Sequence, residues 1–120
     1  DRVFEKERER MLFFKKETYD KQSIEAGIAE YRKNTSIHLI DVRTKEEYDE
    51  GHILGSSNLP LQEIGSITHR YPDKHSPLYI YCHSGARSKR ACQYLVKNGY
   101  DHVVDLGGIM RYDGPLKKSK

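Results

Sequence analysis

Short apolar runs rich in β-branched residues alternate along this chain with segments whose apolar residues recur at helical spacing, and that alternation sets the fold class. Residues 37–42, 78–81 and 103–106 are continuous or nearly continuous apolar runs. Each suits a strand buried on both faces. Between them lie helical segments. Ser23 can cap a helix reaching about Lys33, with Ile24, Ile28 and Tyr31 on one face. Thr44 and Glu47 have the spacing of a capping box, and Gly51 ends that short helix. Residues 61–69 read as another helix, and a longer one follows Ser88 to about Asn98, with Gly99 as its stop. Residues 52–60 read as a turn and a brief strand, in which Asn58 and Pro60 fix the turn, and 72–77 as a loop. Gly107 and Gly108 are expected to end the third strand. Strands separated by helices cannot pair as hairpins, so the expected class is α/β with a mainly parallel sheet.

At 120 residues the chain has room for one ordinary domain. Lys and Arg total 21 against 18 Asp and Glu, a net charge of +3, too weak a bias to argue for nucleic acid. No run approaches the roughly 20 apolar residues of a membrane span. Two cysteines, Cys82 and Cys92, exclude a disulfide-dense scaffold and a four-cysteine zinc site. The expected compartment is the cytoplasm. Residues 1–18 read as a charged, helical N-terminal extension, with Glu5, Lys6, Glu7, Arg8, Glu9 and Arg10 all charged. Lys117, Lys118 and Lys120 form a short basic tail, expected to be a solvated end.

Cys82 stands where a strand ends and a helix begins. In parallel α/β sheets that crevice, outside the carboxyl ends of the strands, binds ligands. The residues that follow are His83, Ser84, Gly85, Ala86, Arg87 and Ser88. Gly85 permits a tight backbone cradle whose N–H groups converge, the following helix adds the positive end of its dipole, and Arg87 adds a cation. Together these favour a thiolate on Cys82 and an anionic substrate. His83 reads as a loop-lining residue rather than a general base. Cys92 lies mid-helix among Ala91, Leu95 and Val96, where core packing is expected and a resolving-thiol role is the alternative. His38, His52, His69, His75 and His102 lack metal-ligand spacing, and no metal site is expected.

Three motifs in this order resemble the rhodanese family of sulfurtransferases. The first is Leu39, Ile40, Asp41, Val42 and Arg43, followed by Glu47 and Tyr48. The second runs from Gly51 and His52 to Pro60. The third is the loop from Tyr81 and Cys82 to Ser88, and Gly107 with Gly108 is a further match. The resemblance covers about residues 19–116, which mark the expected domain, with 117–120 as the tail. It implies a central, mostly parallel five-stranded sheet flanked by helices. It also implies a persulfide on Cys82, formed from a small-molecule sulfur donor such as thiosulfate and passed to a thiol or cyanide acceptor, a protein thiol included. The backbone from His83 to Ser88 would bind the substrate. No cofactor is implied. Arg43 is expected to pair with Glu47. Tyr112 stands where the family often has Trp, and His83 where some thiosulfate-preferring members have a basic residue.

Two other functions fit the same fold. Rhodanese-like domains also act as binding or regulatory modules, but such modules often lose the cysteine. Cysteine phosphatases and arsenate reductases of this architecture carry Arg six positions after the cysteine, a place held here by Ser88.

Overall fold

A computed structural model describes residues 18–119. The expected N-terminal helical extension lies outside the described residues except for Thr18. Five strands form one sheet: β1 (Asp20–Lys21), β2 (His38–Asp41), β3 (Ser57–Asn58), β4 (Leu78–Cys82) and β5 (Val103–Gly108). Their order is β1-β5-β4-β2-β3, and every neighbouring pair is parallel. Sequence reading expects a mostly parallel sheet; the structure makes it wholly so.

Four helices cover the sheet: α1 (Ile24–Lys33), α2 (Lys45–Glu50), α3 (Ile67–Arg70) and α4 (Ala86–Lys97). Ser23 Oγ accepts from the Ala26 N–H at 3.2 Å and starts α1. Thr44 and Glu47 form the full capping box of α2. The helix expected over residues 61–69 is different. Residues Leu61–Ser66 form a 3₁₀ helix, and only Ile67–Arg70 is α-helical. Gly65 inside this segment lowers its helix propensity, and Ile64 and Ile67 still reach the core.

Side chains along β4 alternate between two buried clusters. Leu78, Ile80 and Cys82 join Cys92, Leu95 and Val96 of α4 on one face. Tyr79 and Tyr81 join Ile24 and Ile28 of α1 on the other. Both faces are covered, which is why β4 is buried at all five positions and reads as an unbroken apolar run. Truncating a core residue such as Ile80, fully buried, would cost about 2–5 kcal/mol.

Two departures from the sequence reading bear on the site. Gly107 and Gly108 do not stop β5 at Leu106; they are its last two residues. The register shifts between Ile80 and Tyr81, so that Ile80 pairs with Asp105 and Tyr81 with Gly107. Leu106 is the extra residue of a bulge, and Gly107 takes a left-handed φ of +74° to make it. The Lys117 backbone is also not free. It forms a two-bond bridge with His52, and Ser119 N–H donates to Asp49 O at 2.9 Å, while the Lys117 and Lys118 side chains stay exposed.

Candidate active site

Cys82 is the last residue of β4, in the centre of the sheet, and is 1% exposed. The chain then turns through His83 and Ser84 to Gly85, whose φ of +109° belongs to the left-handed region. A side chain at that angle would be strained. The turn brings the Gly85 N–H to 3.0 Å from the Cys82 Sγ. Gly85 is the N-cap of α4 and offers no side chain to it. The N–H groups of Ala86, Arg87 and Ser88, in the first turn of α4, have no acceptor within the helix. They and the helix dipole make this end a place for negative charge. The Ser88 hydroxyl donates to Gly85 O at 3.1 Å and is fully buried, locking the turn from below.

The loop rests directly on β5. Met110 N–H donates to His83 O at 3.2 Å. A Cβ on Gly108 would lie 2.2 Å from that same carbonyl oxygen. Only glycine allows the approach.

The charged residues pair differently from the sequence expectation. Arg43 does not meet Glu47. Its Nη2 donates to Asp41 Oδ2 and to Gly51 O, both at 2.7 Å, and its guanidinium lies over the Tyr81 ring. Asp41 is fully buried, and Arg43 is 6% exposed. The two residues leave the same strand end close enough for a bond between neighbours in sequence. Asn58 Nδ2 donates to the backbone oxygens of Asp41 and Arg43, at 3.1 and 2.9 Å, and ties β3 to this turn.

Glu47 instead takes Arg87 from the cysteine loop. Arg87 Nη1 and Nη2 donate to the two carboxylate oxygens of Glu47 at 2.7 and 3.0 Å. Thr44 adds its N–H and hydroxyl to the same carboxylate. The Arg87 bonds first, then those from Thr44, hold the Glu47 carboxyl down at about 2 against the opposing effect of burial. Arg87 is thus shared: it is bonded to Glu47 and is also electrostatically coupled to Cys82. The group bonded to Sγ is the Gly85 backbone N–H.

This geometry has known relatives. The profile of the rhodanese-like domain matches residues 25–113. The chain belongs to the rhodanese-like domain family. YqhL, an uncharacterized protein of Bacillus subtilis (strain 168), is 39% identical over 105 residues, spanning 86% of this chain and 77% of its own. The thiosulfate sulfurtransferase PspE of Escherichia coli (strain K12) is 40% identical over 73 residues, 60% of this chain and 70% of that one. The solved structure of a rhodanese with anions from E. coli superposes with a TM-score of 0.64 at 37% identity, covering 68% of this chain and 98% of the other.

In this rhodanese-like domain the six loop residues after Cys82 differ in exposure. His83 and Ser84 are exposed, while Ser88 is buried beneath the turn. Gly85, Ala86 and Arg87 frame the helix start. Cys92 sits in the core at 0% exposure, and burial pushes its thiol far above the ordinary range. A proton is retained there, which suits packing and not redox exchange. His52 is buried, with its ring stacked on Tyr48 at 3.7 Å and Nδ1 against Tyr48 O. Among the described residues no group of three or more His, Cys, Asp and Glu could hold a metal, and no helix is long and apolar enough to cross a membrane.

Sequence reasoning missed two features. One is the clamp between Glu47 and Arg87: the capping box marks Glu47 but names no partner 40 positions away. The other is a pocket of about 400 Å³ on the β5 side of the loop, walled by Lys21, Gln22, Gly85, Lys89, Gly107 and Arg111 among others. Its parts come from four separate segments, and no local pattern joins them.

Proposed function

We infer that this rhodanese-like domain is a sulfurtransferase that moves a sulfane sulfur from a donor such as thiosulfate to a thiophilic acceptor through a persulfide on Cys82. The observation that carries this reading is the cradle itself: Sγ at a strand end, met at 3.0 Å by the Gly85 N–H and facing the first turn of a helix. The Cys82 thiolate attacks the outer sulfur of the donor. A sulfur–sulfur bond forms, the donor's own sulfur–sulfur bond breaks, and its electron pair leaves with sulfite. The persulfide anion is then held by the loop N–H groups from His83 to Ser88, the same logic as an oxyanion hole. An acceptor nucleophile takes the outer sulfur, and the electron pair returns to Sγ. Two half-reactions with one covalent intermediate imply ping-pong kinetics. His83, at the exposed rim, lines the approach, and Arg87 holds the loop's shape through Glu47.

The test is mass spectrometry of the protein after incubation with thiosulfate and removal of excess. Wild type is expected to gain one sulfur on Cys82, lost again on addition of cyanide. Cys82→Ser is expected to gain none. A wild type that stays unloaded with thiosulfate and with polysulfide would sink the transferase reading, and Cys82-dependent cleavage of p-nitrophenyl phosphate would replace it with a phosphatase.

A further inference from the structure

A groove of about 410 Å³ borders the cysteine loop on its α2 side. His83, next to Cys82, lines it, and so does Glu47, whose carboxylate holds Arg87 of the loop. The part of a sulfur donor that extends from Cys82 past His83 meets the walls of this groove.

Those walls differ in kind. One is apolar. Met110 and Leu116 line it, and they are two of the three large hydrophobic side chains exposed among the described residues, at 63% and 47%. Leu116 is held in place: its neighbour Lys117 bridges to His52, and a Cβ on Gly51 would meet Leu116 Cδ1 at 3.3 Å. The other wall carries Arg43, Glu47 and Glu50. Arg43 is paired with Asp41, and Glu47 with Arg87. Glu50, exposed at the end of α2, has no ion-pair partner among the described residues. The cations of the pocket on the β5 side, Lys21, Lys89 and Arg111, do not line the groove. The cradle favours one negative charge, on the sulfur. A second negative charge, on the rest of the donor, would face Glu50. Two unit charges about 10 Å apart in water shift an equilibrium about twofold.

We propose that Glu50 is a specificity-determining residue of the donor step: it disfavours a doubly charged donor, while Met110 and Leu116 take the apolar organic end of a singly charged one. The proposal rests on the sulfurtransferase reading and narrows its donor. With an organic thiosulfonate, the Cys82 thiolate attacks the terminal sulfur and a new sulfur–sulfur bond forms. The donor's own sulfur–sulfur bond breaks, and its electron pair leaves on the sulfinate. One anion is consumed and one released, no proton moves, and Cys82 keeps the persulfide.

The test measures kcat/KM on the full chain, with cyanide as acceptor, for thiosulfate, a dianion, and for benzenethiosulfonate and methanethiosulfonate, both monoanions. A ratio of two donors on one variant cancels any loss of folded protein. Glu50→Gln is expected to raise the thiosulfate-to-methanethiosulfonate ratio about twofold and Glu50→Lys about fourfold. Both gains are expected to vanish at about 1 M salt, where charges are screened beyond about 3 Å. Leu116→Ser is expected to lower the benzene-to-methanethiosulfonate ratio at least threefold. A thiosulfate ratio unmoved in Glu50→Lys, a gain that persists in high salt, or a benzene-to-methane ratio unmoved in Leu116→Ser would overturn the proposal while leaving sulfur transfer standing. A wild type that is loaded by none of the three donors, nor by polysulfide, would remove the sulfurtransferase reading and the role of Glu50 with it.

Discussion

Removing the carboxylate of Glu47 should loosen the cysteine loop and cost stability in a pH-dependent way. The carboxylate serves two helices at once. It closes the capping box of α2 through Thr44 and holds the first turn of α4 through Arg87. Its pKa falls from 4.5 to about 2 on folding. If the pair were fully shielded from water, that drop would correspond to roughly 3 kcal/mol. The Arg87 and Glu47 side chains are 34% and 32% exposed, so solvent screening reduces the ion pair to about 1 kcal/mol. The cap adds about 1 kcal/mol. Glu47→Gln keeps a side chain able to close the box and loses the charge, for about 1 kcal/mol. Glu47→Ala loses both, for about 2 kcal/mol. In a domain of this size each kcal/mol lowers Tm by about 4–8 °C.

The sign follows from the depressed pKa. The stabilisation is complete above about 4.5 and is lost as the pH falls towards 2. Urea unfolding at pH 7, 4 and 3 should therefore show the gap between wild type and Glu47→Gln shrinking with acidity. Sulfur transfer by Glu47→Gln at pH 7 is expected to fall roughly fivefold, because a clamp worth about 1 kcal/mol no longer biases the loop. Equal stability of Glu47→Gln and Glu47→Ala would refute the division into cap and clamp. A gap that stays constant down to pH 3 would refute the ion pair as its cause.

Three further substitutions have clear expectations. Gly108→Ala forces a Cβ onto the His83 carbonyl, so transfer should drop more than tenfold and stability by about 1–3 kcal/mol, read from loading assays and urea midpoints. Cys92→Ser buries a hydroxyl in the core; Tm should fall by a cost of about 1–3 kcal/mol while most sulfur loading survives, and loss of loading with intact folding would point to a two-cysteine relay. Asp41→Asn breaks a buried pair and leaves Arg43 uncompensated, for about 3–5 kcal/mol by chemical denaturation; a cost under 1 kcal/mol would contradict the burial of that charge.

What could be read from the chain follows how local the determinants are. The central strands announce themselves because both faces of β4 and β2 are covered, so their residues form apolar runs. The loop from Cys82 to Ser88 was legible because strand, turn glycine and helix start are contiguous. The edge strands Asp20–Lys21 and Ser57–Asn58 were not, or only vaguely, since two polar residues paired through backbone alone leave no pattern. Gly107 and Gly108 look like a stop, yet here they serve a bulge and a close approach. The ion pairs went wrong for a different reason. Arg43 and Glu47 are near in sequence, but Arg43 turns back onto Asp41, and Glu47 is met by a residue brought in by the tertiary fold. The pocket walls come together only once β1, β5 and α4 are assembled.

The bridge between His52 and Lys117 has a practical consequence. Whatever polypeptide follows Ser119 departs beside Asp49, in the helix whose first turn carries Glu47. A tag, linker or reporter joined at that end starts from the folded frame, one short helix from the loop clamp. Its pull or bulk would be felt first where α2 holds the cysteine loop, and fusions meant to be silent are better placed elsewhere.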